Sequence, residues 1–227
     1  WVGPDADLRG EHVPAGAAEL DCRGRAVLPA LVDSHTHLVW GGDRKNELEM
    51  RLAGADYEAI FAAGGGILSS VRKTRELTDD ELFAQSLARL QRMLRSGTTA
   101  VEIKSGYGLD LGTELRQLRV ARRLAEETGV RVKTTCLAAH ALPAELRDRP
   151  EGRAAYVARV CDEILPAVQS AGLADFCDVF CDRGAFTPEE TREILRAAQA
   201  LGLPIRLHAN EFGHTGGALL AAEFAAR

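Results

Sequence analysis

Hydrophobic and polar positions change period several times along the chain. Residues 1–29 show no helical period; Gly3, Pro4, Gly10, Pro14, Gly16 and Gly24 separate short segments, a pattern of turns and short β-strands that predicts part of a small N-terminal β cap. From residue 30 onward the pattern is strand, loop, helix, repeated. An apolar run (Val27, Leu28, Ala30, Leu31, Val32) leads into a first strand ending at His35-Thr36-His37. A long loop follows, with Gly41-Gly42-Asp43-Arg44 at its start, Gly64-Gly65-Gly66 at its end and a short helix over Asp56–Ala63 between them. The triple glycine suits a mobile lid or a close approach to a ligand, and equally a plain flexible turn.

Thr78-Asp79-Asp80-Glu81 reads as a capped helix start, and Leu82, Leu87, Leu90 and Leu94 recur at helical spacing up to Gly97. Thr98–Ile103 is β-branched and reads as a strand, Ser105–Gly108 as a turn, and Thr113–Thr128 as an amphipathic helix stopped by Gly129. A third strand, Val130–Leu137, ends near His140, and a helix covers about Gly152–Ser170. Phe176–Cys181 is a fourth strand. Thr187-Pro188-Glu189-Glu190 opens a helix to Gly202, Leu203–Leu207 is a fifth strand ending at His208, and a further helix starts near Gly216.

Strands alternating with helices imply βαβ units and a parallel sheet. His35, His37, Tyr107, His140, Asp182, His208 and Glu211 all fall at or just beyond strand C-termini, where a (β/α)8 TIM barrel gathers its active site. A doubly wound open sheet carries a glycine-rich phosphate turn after its first strand; here that position holds His-x-His, which favours the barrel. About five strand–helix units are legible where a barrel needs eight. The expected organisation is therefore an incomplete barrel over residues 30–227 preceded by the partial cap over 1–29. The chain starts at Trp1 and ends at Arg227 inside a predicted helix, so both ends read as cut.

Composition narrows the function classes. With 227 residues, 46% apolar and 27% charged, and a net charge of −5, the chain reads as a soluble globular domain. Basic residues alternate with acidic ones along the helices, leaving no nucleic-acid footprint and no polybasic membrane patch. No apolar run approaches the roughly 20 residues of a membrane span, and no secretory signal opens the chain. The five cysteines, Cys22, Cys136, Cys161, Cys177 and Cys181, lie in apolar surroundings without Cys-x-x-Cys spacing. They read as reduced and mostly buried, in a cytoplasmic protein.

The candidate chemistry centres on imidazoles. Side chains two apart on a strand share a face, so His35 and His37 form half of a divalent-metal site. His208 at a later strand end completes three ligands, and a catalytic metal site keeps a position open for water or substrate. Glu211, three residues on, is placed by a turn to take and return a proton.

These motifs resemble a known family. VLPALVDSHTHLVWGGDR is similar to the start of an amidohydrolase-superfamily barrel. GGGILSSVRKTR, SGTTAVEIKSGYGLD, TELRQLRVARRL, AAHALP, DFCDVFCDRGAFTPEETREIL and LPIRLHANEF resemble the imidazolonepropionase family of histidine degradation, from about Gly24 to the last residue. A departure is Ala30, where the superfamily usually has glycine, and His214 has no counterpart and reads as a surface residue. The resemblance implies one Zn2+ or Fe3+ ion per chain held by His35, His37 and His208, with a further Asp from a later strand that this sequence does not reach. It implies that Arg44, Tyr107, His140 and Glu211 meet the substrate, with Arg44 suited to a carboxylate tail. It also implies that Glu211 and His140 are catalytic, Glu211 shuttling the proton and His140 helping to stabilise an oxyanion. The reaction implied is hydrolysis of the cyclic amide of 4-imidazolone-5-propanoate to N-formimidoyl-L-glutamate. Asp182 and Lys104 read as hydrogen-bonding or ion-pair residues of a one-metal site. The alternatives are a deaminase-type amidohydrolase, and an inactive partial barrel that only binds metal. An unclosed barrel would also expose apolar faces and invite a homodimer.

Overall fold

The computed structural model describes residues 3–8, 10, 13–56 and 65–227. In chain order its elements are β1 (Leu31–Thr36), α1 (Lys45–Leu52), α2 (Ile67–Glu76), α3 (Asp79–Arg95), β2 (Thr98–Lys104), α4 (Leu111–Thr128), β3 (Arg131–Ala139), α5 (Ala144–Arg147), α6 (Gly152–Arg159), a π-helical segment (Val160–Ile164), α7 (Leu165–Ser170), β4 (Phe176–Cys181), α8 (Pro188–Ala200), β5 (His208–Ala209) and α9 (Gly217–Glu223). The five strands pair in parallel in the order β1-β2-β3-β4-β5.

Parallel neighbours lie about 4.8 Å apart, so a flat five-stranded sheet would separate its edges by roughly 19 Å. Here the Nε2 atoms of His37, just beyond β1, and His208 in β5 are 3.3 Å apart. Arg206, just before β5, donates to the Ser34 carbonyl in β1 at 3.1 Å. The sheet therefore curls until its edge strands face each other across the strand C-termini. Right-handed strand twist accumulates in this way when helices cover only the outer face.

The helices form where local signals agree. Thr78 and Glu81 make a reciprocal capping box at α3, and Thr187 and Glu190 repeat it at α8, with Pro188 in the first turn. Asp110 accepts from the Thr113 N–H at 2.8 Å to start α4, and Gly129 ends it in the left-handed conformation. One core joins Leu82, Leu90, Val101, Ile103, Val120 and Leu124 between α3, β2 and α4. A larger one packs Leu118, Tyr156, Ile164, Val179, Ile194 and Leu195 around β3 and β4.

Four expectations need correction. The strands expected before Ala30 are absent among the described residues, which form turns and one short 3-10 turn at Asp5–Asp7. Leu20, Val27 and Leu28 are exposed there, with no neighbouring strand to pair with. Among the described residues, the long loop after His37 contains the helices α1 and α2. α1 buries none of its residues and carries no apolar period, whereas α2 turns Ile67, Leu68 and Val71 to the core and is amphipathic, a short period inside what reads as a loop. The helix expected over Asp56–Ala63 falls on residues 57–64, outside the described residues. The fifth strand is reduced to His208–Ala209 and a single bridge between Cys177 and Ile205, because Pro204 contributes no N–H and β5 pairs on one side only. The helix over Gly152–Ser170 is present but opens into a π turn before Pro166, whose ring cannot enter a regular α-helical ladder.

Candidate metal centre and active site

β1 ends with Thr36, whose hydroxyl donates to the Glu102 carbonyl of β2 at 2.6 Å, fixing the strand end that carries His35 and His37. His35 Nε2 and His37 Nε2 are 3.3 Å apart, and His37 Nε2 is again 3.3 Å from His208 Nε2. The three histidines form the group among the described residues that can hold a metal ion. Ligand bonds of about 2.05 Å at tetrahedral angles place nitrogens about 3.3 Å apart. Two of the three pairs stand at that spacing and all three nitrogens lie within 4.8 Å of one another, so the three imidazoles could share one ion.

The surroundings of His35 and His37 favour their neutral form. Burial, then the neighbouring His140, His208 and His35, push the His37 imidazole down to about 2. His35 is also lowered, first by burial and then by the Lys104 charge. A neutral imidazole offers a nitrogen lone pair, the form a metal binds. The Nδ1 of His37 is buried and has no hydrogen-bond partner, so nothing else at the site competes for that ring.

The other expected residues take different positions. His140 stacks on His37 with ring centroids 4.9 Å apart, and its Nδ1 lies 3.0 Å from the Gly106 carbonyl. A carbonyl only accepts, so Nδ1 carries the proton and Nε2 is left as an acceptor. Burial outweighs that bond and lowers His140 to about 4. The Tyr107 ring sits 5.3 Å from His140 and 5.9 Å from His37, and burial raises its hydroxyl above the usual phenol range. Arg44 binds Ser70 Oγ at 3.0 Å, and its charge acts on both Tyr107 and His140. Glu211 is different: its side chain is exposed, makes no hydrogen bond or ion pair among the described residues, and is not gathered onto the imidazoles. Its main chain is held instead, because the Asp182 carboxylate accepts from the backbone of Phe212, Arg183 and Glu211. His214 is exposed, as expected.

Lys104 is an ion-pair residue. Its ammonium lies 2.7 Å from Glu102 and 2.8 Å from Asp178, with all three side chains about 98% buried. A lysine held between two carboxylates is a fixed cation and offers no lone pair to a second metal.

Sequence reasoning missed Asp178, Glu114 and Gln117. Asp178 accepts from the His208 main-chain N–H at 3.1 Å and lies 3.0 Å from His208 Nδ1, in a close but bent contact. Burial opposes its ionisation, but His208 and Lys104 outweigh that and hold it at about 2. A charged residue inside the apolar strand Phe-Cys-Asp-Val-Phe-Cys was the available signal. Glu114 receives the N–H groups of Gly106, Gly108 and Leu109 and so wraps the loop that carries Tyr107. Gln117 accepts from the Tyr107 N–H and donates to the Val39 carbonyl, tying that loop to the segment after His37. Both glutamate and glutamine sit in an ordinary amphipathic helix, and nothing local marks them.

A curled parallel sheet with three imidazoles at its C-terminal rim defines a metal-dependent hydrolase scaffold, and this chain belongs to the amidohydrolase family, whose sequence pattern matches residues 26–226. More particularly, it is 54% identical over 229 residues to an imidazolonepropionase of Polaromonas sp., covering all of this chain and 52% of that protein. It is 52% identical to an imidazolonepropionase of Mesorhizobium japonicum and 49% identical to one of Pseudomonas fluorescens, covering 54% of each. The chain thus spans about half the length of the curated relatives it matches. The fold is also that of a 5-methylcytosine deaminase from Klebsiella pneumoniae, with a TM-score of 0.61 at 17% identity, over 93% of this chain and 48% of that one. Among the described residues no helix is long and apolar enough to cross a membrane.

Proposed function

We propose that this chain carries the metal-holding half of an imidazolonepropionase, which hydrolyses the cyclic amide of 4-imidazolone-5-propanoate to N-formimidoyl-L-glutamate. The observation that carries the reading is the convergence of His35, His37 and His208, with nitrogens 3.3 Å apart from His35 to His37 and from His37 to His208, beside Tyr107 and His140. The roughly 50% identity to imidazolonepropionases supplies the substrate class. Three imidazoles would suit either Zn2+ or iron. When bound, the ion polarises the ring carbonyl and makes water acidic enough to attack near neutral pH.

The chain's own residues then bind and orient. Arg44 receives the propanoate carboxylate, which a guanidinium binds through two parallel bonds. Tyr107 covers the ring. His140, with its proton committed to Gly106, accepts from a ring N–H through Nε2; it orients the ring and leaves oxyanion stabilisation to others. Glu211, exposed and three residues beyond His208, would turn its carboxylate over the site to carry the proton from the attacking water to the leaving ring nitrogen as the C–N bond breaks. In this reading residues 1–29 are part of a cap, 30–227 form the barrel, and the enzyme is cytoplasmic.

A chimera tests the assignment. The corresponding half of the Polaromonas relative is replaced by this chain, and loss of imidazolonepropanoate is followed alongside ammonia release from aminated pyrimidines. Turnover of the imidazolone, abolished by His208→Ala, is the expected result. A folded, metal-loaded chimera that releases ammonia from pyrimidines, or turns over neither compound, refutes the assignment.

A further inference from the structure

Beneath the three imidazoles, inside the curl, lies a buried charge cluster spanning three neighbouring strands and the segment that enters β5. Lys104 of β2 bridges Glu102 of the same strand and Asp178 of β4 at 2.7 and 2.8 Å. Arg206 approaches Glu102 at 3.1 Å, and the Thr135 hydroxyl of β3 donates to the same Glu102 oxygen. Asp178 then reaches His208 twice, through the main-chain N–H at 3.1 Å and the ring Nδ1 at 3.0 Å. Burying such charges is unfavourable unless their arrangement is closely satisfied, and replacing them with apolar residues is often neutral or better for stability. Stability alone is therefore a weak reason for the cluster.

Its geometry supplies a better one. One Asp178 oxygen is occupied by a main-chain N–H and the other by an ammonium, so the carboxylate cannot rotate. An ionised carboxylate only accepts, so a ring nitrogen held 3.0 Å from it, even in a bent contact short of hydrogen-bond geometry, is favoured to carry the proton. That leaves the His208 Nε2 lone pair facing His37 Nε2 at 3.3 Å. We infer that Asp178, clamped by Lys104, is a positioning residue that fixes the tautomer and orientation of His208 for metal binding. The inference rests on the proposed metal site, but the tautomer itself can be read without metal.

The test uses the 227-residue chain with 15N-labelled histidine, free of metal, and long-range 1H–15N spectra that distinguish Nδ1–H from Nε2–H rings. The expected wild-type result is Nδ1–H at His208. In Asp178→Asn the single amide oxygen cannot serve the main-chain N–H, Lys104 and Nδ1 together, and the Nδ1–H fraction falls. Zn2+ affinity, measured by competition with a chelator, falls roughly 10–100-fold, as for other residues that orient metal-binding histidines. Lys104→Met leaves the buried Asp178 without its cation and Glu102 with Arg206 alone, and threatens folding. The double variant Glu102→Gln, Lys104→Met removes one charge of each sign and isolates the clamp; Zn2+ affinity again falls, while circular dichroism stays native. A wild-type His208 with its proton on Nε2, or folded variants with unchanged Zn2+ affinity and an unchanged ring, overturns the inference. A wild-type chain that shows the Nδ1–H ring and binds no Zn2+ overturns the metal reading instead.

Discussion

Glu114→Ala removes one carboxylate from the first turn of α4 and tests how the loop around Tyr107 is held. Glu114 is fully buried. Its Oε1 accepts from Gly108 N at 2.9 Å and Leu109 N at 2.8 Å, and its Oε2 from Gly106 N at 3.1 Å. The loop also holds Gly106 at φ 105° and Leu109 at φ 57°, conformations that need an external reason to persist. Alanine orphans three main-chain donors at about 1–3 kcal/mol each, a gross loss of roughly 3–9 kcal/mol. Removing a buried carboxyl, whose pKa burial already raises, and admitting water to the vacated space both reduce this. A net loss of about 3–5 kcal/mol is expected, a large share of the roughly 5–15 kcal/mol of a typical domain. The measurement is urea unfolding followed by circular dichroism, with the midpoint falling at constant slope. Hydrogen exchange at Gly106, Gly108 and Leu109 runs alongside it. Glu114→Gln keeps the Oε1 acceptor and should lose only about 1–2 kcal/mol. A loss below about 1 kcal/mol for Glu114→Ala, with all three amides still protected, refutes the reasoning.

Three further outcomes follow from the same geometry. His208→Ala should lower Zn2+ retention after dialysis from one ion per chain to a small fraction, read by elemental analysis. Gly106→Ala would place a Cβ 2.7 Å from the Leu137 carbonyl and 2.9 Å from His140 Nδ1. It should lose about 1–3 kcal/mol and lower Tm by about 2–4 °C for each kcal/mol, whereas Gly172→Ala, equally left-handed but facing open space, should lose less. The metal-free chain should weaken in acid. His37 and His140 are held at about 2 and about 4, below the ordinary 6.5, so the unfolded chain binds protons that the folded chain refuses. Stability present above pH 6.5 is then lost progressively as pH falls towards 4 and below, and His140→Asn should flatten the slope of urea midpoint against pH.

Much of this arrangement is legible in the letters, because strands and amphipathic helices announce themselves by period and caps. Phe176–Cys181 was delimited as the structure has it, and Thr78 and Thr187 start their helices by the reciprocal bonds that their Glu partners imply. The elements that stayed hidden lack one or both of those signals. α1 buries nothing, so hydrophobic period is silent there; α2 does turn Ile67, Leu68 and Val71 inward, but its ten residues lie within what reads as a glycine-rich loop and its N-cap Gly66 makes no side-chain cap bond. At the site, His-x-His and a distant histidine could be paired by their position at strand ends. Asp178, Glu114 and Gln117 could not, because each acts through a partner from another element: His208 from β5, the Ser105–Leu109 loop, and the Val39 main chain. Residue type gives a donor or acceptor its capacity, and only the tertiary fold gives it a partner.

That dependence is strongest at the edge that brings His208 home. β5 is two residues long and pairs with β4 alone, so backbone pairing can do little to hold its ring against the imidazoles of β1. What joins the edges is polar and lateral. Arg206 spans from the β5 side to the Ser34 carbonyl and to Glu102, and Asp178 grips His208 from below. Imidazole lone pairs facing each other at 3.3 Å, from His35 to His37 and from His37 to His208, repel unless a cation or a shared proton lies between them. The charge cluster opposes that repulsion from outside, and a bound cation would oppose it from within. A two-residue strand suffices at this position because directed charges hold the third ligand where a longer ladder would otherwise be required.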